Sequence, residues 1–430
     1  MSTAVEQPQL NTIQPQVSTL PVPVYLDNGV EVNAIPLFST DLVVITLMFK
    51  GGQWVQMKKL QSDYAIRQIK SGSLHFSSET VNEQMDYYGA TLKAGATISY
   101  CFLQLHCLRR TLPHVLPLLC DILTSPQYEQ PLLDNAIEEG IRAYQVNEQK
   151  VAQVNKRLFY QQLLGSCHPA AQYAHEADYH NIHHEDLQRY HQQILQLSNA
   201  IIYVTGKVDE SLLSLLNTHV GHLPCKQQQL LQLSEAPIET SPQQMHQVEL
   251  NVPSVQSGLR MGKVMPDNNN IHYPAIMLTS VILGGYFGSR LMKNIRERLG
   301  FTYGIGSTFL PIPRHNIFII ATETPREHVA RCVEEIKKDI QDLQEHPISQ
   351  EELTMARNYM LGQFCRQTET SLSLSTLLMS QRAYGRTLTD LLYEQQKAQA
   401  LTPHDIQRCA QQFFSPEEMT ITAAHGKPSF

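Results

Sequence analysis

At 430 residues, with 42% hydrophobic and 17% charged positions, the chain is globular and too long for one core, so at least two domains are expected. A formal net charge of -7 without any dense Lys/Arg run argues against nucleic acid and anionic membranes as main partners. Eight cysteines, at 101, 107, 120, 167, 225, 332, 365 and 409, form no CxxC pair and read as reduced, mostly buried thiols of a cytoplasmic protein.

Along the chain, residues 1–23 are rich in Gln, Pro, Ser and Thr, and lack a basic stretch followed by an apolar core. They predict a mobile tail, not a secretory signal. No uncharged apolar run is long enough to span a bilayer. Strands are expected over 30–37 and 42–52, a helical region over 60–90, and a strand buried on both faces over 96–108. Long helices follow at about 111–125, 129–160 and 184–195. The polar, proline-containing stretch 225–247 has the composition of a linker. Beyond it come a strand over 256–265, a helix ending at Gly284-Gly285, a helix over 289–299, a hairpin, and long helices from about 325. Strands and helices are segregated, so each half is α+β.

The chain also repeats itself. EDLQRYHQQILQLSNAIIYVTGKVD (185–209) and HDIQRCAQQFFSPEEMTITAAHGKP (404–428) share Asp, an aliphatic residue, Gln-Arg and Gln-Gln, then a β-rich run ending in Gly. An offset of about half the chain implies two similar halves in tandem, 24–224 and 248–430.

ILGGYFGSRLMKNIRERLGFTYGIGS (282–307) closely resembles the second-half signature of the insulinase-like (pitrilysin, M16) metallopeptidase family: LGG, then SRL, then Arg-x-x-x-x-Gly-x-x-Tyr. LLGSCHPAAQ (163–172) resembles that family's Gly-x-x-His-Pro stretch, and the likeness covers about 24–428. It implies a clam built of two tandem α+β halves.

Active members carry His-x-x-Glu-His in the first half: two histidines on one helical face hold zinc, and the glutamate polarises the metal-bound water. Neither that motif nor its reverse occurs here. In the matching place, SDYAIRQIKSGS (62–73) puts Asp63 and Arg67 at the histidine positions and Ile66 at the base. A protonated guanidinium has no lone pair for a metal, and Ile66 cannot take a proton. A further, distal glutamate completes the metal site of active members; at that position stands Gly140, with Glu138 and Glu139 close enough that a one-residue slip would restore a carboxylate. One carboxylate does not make a catalytic zinc site. The resemblance therefore implies no zinc site and no cofactor of its own.

Two other features compete for attention. His175, His180, His183, His184 and His191 cluster in the sequence, where a solvated surface and a relocated metal site are the alternatives. In the 289–299 helix, Leu291, Met292, Ile295 and Leu299 form the apolar stripe, and Arg296 and Arg298 both border it. Periodicity does not choose between them, and either can cap its own helix, with Gly300 as the residue past the end. The resemblance favours Arg296 with Tyr303, matching a family pair that reaches the peptide from the second half. It also places TLKAGATIS (91–99) where the family has an edge strand that pairs with the peptide, with Lys93 and Ala94-Gly95-Ala96 in place of an asparagine-containing stretch. The expected function is a non-catalytic, substrate-binding subunit of a heterodimeric M16 peptidase, lending Arg296 and Tyr303 to a zinc-bearing relative. The alternatives are a peptide-binding or structural homologue without proteolysis, and a metallopeptidase with a relocated metal site.

Overall fold

The apolar runs assemble into two sheets of one strand plan. The computed structural model describes residues 21, 23–36, 40–226, 229–239 and 245–427. The expected tail thus lies outside the described residues except for positions 21 and 23, as do 227–228 and 240–244 of the linker and the last residue of the 30–37 strand.

In the first sheet, β1 (Pro23–Tyr25), β2 (Glu31–Pro36), β3 (Leu42–Lys50), β4 (Thr91–Ala96), β5 (Tyr100–Leu108) and β6 (Ala200–Gly206) take the order β1-β2-β6-β3-β5-β4. In the second, β7 (Met245–Pro253), β8 (Gln256–Pro266), β9 (Ile305–Ile312), β10 (His315–Pro325) and β11 (Thr420–Lys427) run β7-β11-β8-β10-β9. Leaving β1 aside, the plans coincide. Each half's last strand, β6 or β11, pairs in parallel with β2 or β7, and antiparallel with β3 or β8. The strand expected over 96–108 is instead the second arm of a hairpin. Thr97 turns the chain by accepting hydrogen bonds on its hydroxyl from the Ser99 and Tyr100 N–H groups, at 3.3 and 3.1 Å.

The first half carries α1 (Gln61–Gln68), α2 (Ser78–Tyr87), α3 (Leu112–Thr124), α4 (Gln130–Glu148), α5 (Val151–Leu164), α6 (Glu176–His180), α7 (His184–Gln193) and α8 (Glu210–Leu216). The second carries α9 (Tyr273–Ser280), α10 (Val329–Glu345), α11 (Gln350–Thr368), α12 (Ser371–Ala383), α13 (Leu388–Ala400) and α14 (Pro403–Phe413). The repeated sequence unit is α7 with β6, and α14 with β11. The helical region at 60–90 divides into α1 and α2, and the helix expected over 129–160 breaks at Gln149-Lys150 into α4 and α5.

That last break matters, because α5 leaves its own half. Val151 and Val154 pack with Leu250 and Ala424, and Phe159 and Leu163 with Ile317 and Ile319, all of the second sheet. The exchange is reciprocal. Leu374, Leu378 and Met379 of α12 cover Ile35, Met48, Ile201 and Tyr203 of the first sheet. Each sheet has its own helices on one face and a helix of the other half on the opposite face, which is why β3 and β6 are apolar on both sides.

Candidate functional site

The place of the zinc motif is occupied by side chains that satisfy one another. On α1, Arg67 Nε donates to Asp63 Oδ1 at 2.8 Å, an i,i+4 ion pair. Ile66 is fully buried in the first core. Facing α1 across α4 is Gly140, where a Cβ would run into the Tyr64 hydroxyl and come within 2.6 Å of the Tyr179 ring. Tyr64 donates that hydroxyl to the Ala136 carbonyl at 3.1 Å, and burial pushes its pKa well up. Two tyrosines thus fill the volume over the position where a distal carboxylate would project. Glu138 and Glu139 are exposed, and Glu138 pairs with Arg142 on the same helix at 3.5 Å.

The histidines of 175–191 serve separate purposes. His175 and His183 precede α6 and α7, and their backbone N–H groups donate to Asp178 and Asp186 at 2.7 and 3.1 Å. His180 is exposed, His184 Nδ1 lies 2.9 Å from Gln130 Oε1, and His191 is buried with Nε2 on the Leu123 carbonyl at 2.8 Å. Among the described residues, no group of three or more His, Cys, Asp or Glu side chains is arranged to hold a metal ion. His168 opens a turn, accepting from the Ala170 N–H; burial lowers its pKa to about 4.

In the second half the arginines separate by their partners. Arg290 is a bridge: its guanidinium donates to both oxygens of Glu352 on α11, at 2.8 and 3.0 Å, and to Asp342 on α10 at 2.5 Å. Arg298 donates to Glu335 of α10 at 3.0 Å and to the side-chain oxygen of Asn294. Arg296 has no carboxylate partner among the described residues; its guanidinium lies over the ring of Phe287, 4.6 Å from the centroid. Phe287 is itself 63% exposed. Charge at this helix end is therefore mostly neutralised by neighbouring helices, and one arginine is left over.

The local chain geometry explains how Tyr303 is presented. Residues 292–298 form a wide π-helical turn that closes on Gly300 in the left-handed region (φ 66°). Gly300 N donates to Arg296 O and Phe301 N to Ile295 O. The following residues are then fastened to β10: Thr302 Oγ1 donates to Glu323 O at 2.7 Å and Thr324 Oγ1 to Phe301 O at 2.7 Å. On this fixed backbone Tyr303 projects with 89% of its surface exposed. It borders a cavity of about 330 Å³ that also takes in Asn155 of α5, Arg260 and Glu323, but not Arg296. Asn155 is 1% exposed, and among the described residues both polar atoms of its amide lack a hydrogen-bond partner. The threonines that fix Tyr303 were not singled out in the sequence, although alternating Thr322 and Thr324 on β10 carried the signal; nothing there pointed to Asn155. Gly284 of the LGG run allows close approach of β9: a Cβ would lie 2.8 Å from Ser307 N. The β4 edge pairs with β5 alone among the described strands.

Residues 181–360 match the family model described as peptidase M16 inactive domain. Over that stretch the chain is M16-like. A solved structure described as the peptidase M16 inactive domain from Pseudomonas fluorescens aligns with a TM-score of 0.83 over 96% of this chain and 98% of that one, at 19% identity, which concerns the fold. A stretch of 260 residues is 25% identical to the non-peptidase homolog YmxG of Helicobacter pylori, covering 59% of this chain and 58% of that protein. A shorter stretch of 80 residues is 35% identical to an uncharacterized zinc protease of Rickettsia bellii, covering 19% of each. The chain thus matches less than two thirds of the length of these relatives. The M16 resemblance read from 282–307, and the α+β fold of two similar halves it implied, both stand. No helix among the described residues is long and apolar enough to cross a membrane.

Proposed function

We propose that this M16-like chain is the non-catalytic, substrate-binding partner of a zinc-bearing M16 relative, to whose metal site it lends Arg296 and Tyr303. What carries the reading is an asymmetry between its halves. At the metal position, Asp63 and Arg67 neutralise each other, Ile66 is core, and Tyr64 and Tyr179 fill the space over Gly140. In the second half, an arginine without a carboxylate partner and a tyrosine held out on a rigid backbone are available to another molecule. A guanidinium and a phenol donate hydrogen bonds to peptide carbonyls and stabilise charge that develops on the scissile one. Zinc chemistry needs the metal-bound water and such groups around one peptide, so this set is useful where another chain brings the metal. In the same reading the free β4 edge takes substrate backbone by strand addition, and eight unpaired cysteines suit a cytoplasmic setting.

The test mixes the purified protein with a zinc-bearing M16 relative and measures mass by light scattering, then peptide cleavage. A one-to-one complex whose cleavage exceeds that of the relative alone is expected. Arg296→Ala should slow that cleavage on the order of a hundredfold. Tyr303→Phe should lower the rate and leave melting unchanged. A relative that is fully active alone and indifferent to this protein would shift the reading to a peptide-binding or structural role without proteolysis. That second reading is favoured by the non-peptidase homolog among the relatives.

A further inference from the structure

A second cavity, of about 200 Å³, lies away from Tyr303 where the first sheet, the linker and the second half meet. It is reached by Lys50 at the end of β3, Gln232 of the linker, Asp267 after β8, Arg314 in the β9–β10 turn, and Tyr384 and Arg386 after α12. Lys50 is only 8% exposed, and its ammonium has no hydrogen-bond or carboxylate partner among the described residues. Arg386 is 3% exposed; it donates to Glu394 and to Gln381 Oε1, and its Nε has no partner among the described residues. Arg314 is exposed and likewise has no carboxylate partner among the described residues. Among the described residues Asp267 is the one carboxylate lining the cavity, and its oxygens are engaged by the N–H and side-chain amide of Asn269 at 3.2 and 3.3 Å.

Two cations without a carboxylate partner among the described residues, Lys50 and the exposed Arg314, and a third that pairs with Glu394 therefore face a single lining carboxylate across a partly open space. The Lys50 side chain is largely covered and has no counter-charge of its own, and burial depresses its pKa, with the nearby Arg382 charge adding to it. Tyr384 adds no free donor, since its hydroxyl donates to Pro311 O at 2.7 Å and accepts from Ser99 at 2.6 Å. The demand is for negative charge. We propose that Lys50, Arg314 and Arg386 form a binding site for a phosphate group, free or as a small monoester, that bridges the two halves. Phosphate offers a separate oxygen to each of three cationic donors arriving from different elements, where a carboxylate offers two. Because the donors come from both halves, an occupant ties β3 to the β9–β10 turn and to the end of α12.

The full chain is titrated calorimetrically with inorganic phosphate, glycerol 3-phosphate and acetate at constant ionic strength set with chloride, alongside melting curves. Saturable one-to-one binding of phosphate or the monoester is expected, with a melting temperature that rises with its concentration. The stronger of the two ligands identifies the source. Lys50→Met should weaken binding at least tenfold. Arg314→Gly, which suits the left-handed backbone there (φ 69°), should weaken it severalfold without loss of fold. Arg142→Ala, exposed on α4, should change nothing. The proposal is overturned by no saturable binding of either phosphate ligand, by acetate binding equally well, or by affinity unchanged in both Lys50→Met and Arg314→Gly. If Lys50→Met does not fold, Arg314→Gly alone decides.

Discussion

Arg290, Arg296 and Arg298 are one residue type within nine positions, and their surroundings give them different roles. Arg290 is largely buried between two acidic partners on two helices, so Arg290→Ala strands the half-buried Glu352 carboxylate and should cost about 2 kcal/mol. Arg298 is 61% exposed and its pair with Glu335 is worth about 0.2–1 kcal/mol. Arg296→Ala removes a contact with an exposed ring and should stay within about 1 kcal/mol. Chemical denaturation of the three variants checks the order; Arg296→Ala as the most destabilising would refute it. Glu394 gives a pH prediction. Burial raises its pKa from 4.5 to about 7, against the opposing charge of Arg386. The folded state then holds a proton that the unfolded state has released, so between these values stability falls as pH rises, levelling off above 7. Glu394→Gln should flatten that fall, which urea midpoints across the range would reveal. An unchanged slope would exclude Glu394 as its origin.

At the scale of elements, the degenerate metal position is a packing unit as well as a set of replaced residues. Putting Asp63→His, Ile66→Glu, Arg67→His and Gly140→Glu into one chain restores the motif in writing. It also buries a carboxylate in the first core and drives a side chain into Tyr64 and Tyr179. We expect no stoichiometric zinc after dialysis, by elemental analysis, and a loss of stability of several kcal/mol. One zinc per chain with unchanged melting would show that α1 and α4 part more readily than their packing implies. The helix α5 is the other unit to test. Phe159 is fully buried against the second sheet, where a Cβ on Gly262 would sit 3.0 Å from its ring. Phe159→Ala should cost about 3–5 kcal/mol although it lies in the first half of the sequence.

For the whole molecule, the exchanged helices decide how separable the halves are. Without α12, the first sheet exposes Ile35, Met48, Ile201 and Tyr203; without α5, the second exposes Ile317 and Ile319. The linker adds contacts to both: Trp54 Nε1 donates to Ser234 O at 2.9 Å, and His315 pairs with Glu235 at 2.9 Å. Fragments 1–224 and 225–430, produced separately, should aggregate, and co-produced should form a one-to-one complex by light scattering. A first fragment that is monomeric and melts cooperatively alone would show that α12 is dispensable.

The sequence by itself determined the family likeness, the doubled α+β plan and the absence of the His-x-x-Glu-His motif. Those are matters of residue type and order: a guanidinium has no lone pair and an isoleucine no proton acceptor, wherever they sit. The same holds for the α7–β6 and α14–β11 repeat, whose helix and strand periods are written locally. Other features waited for tertiary structure because they depend on partners distant in the chain. Arg290 and Arg298 find their carboxylates 37 to 62 positions away, which alone separates them from Arg296. Tyr179 reaches the space over Gly140 from another helix. The Thr97 turn replaced a continuous strand with a hairpin, since a side-chain hydroxyl can divert a run whose apolar pattern continues through it. The exchange of α5 and α12 was equally hidden: an apolar stripe declares that it will be buried and is silent about which sheet will bury it.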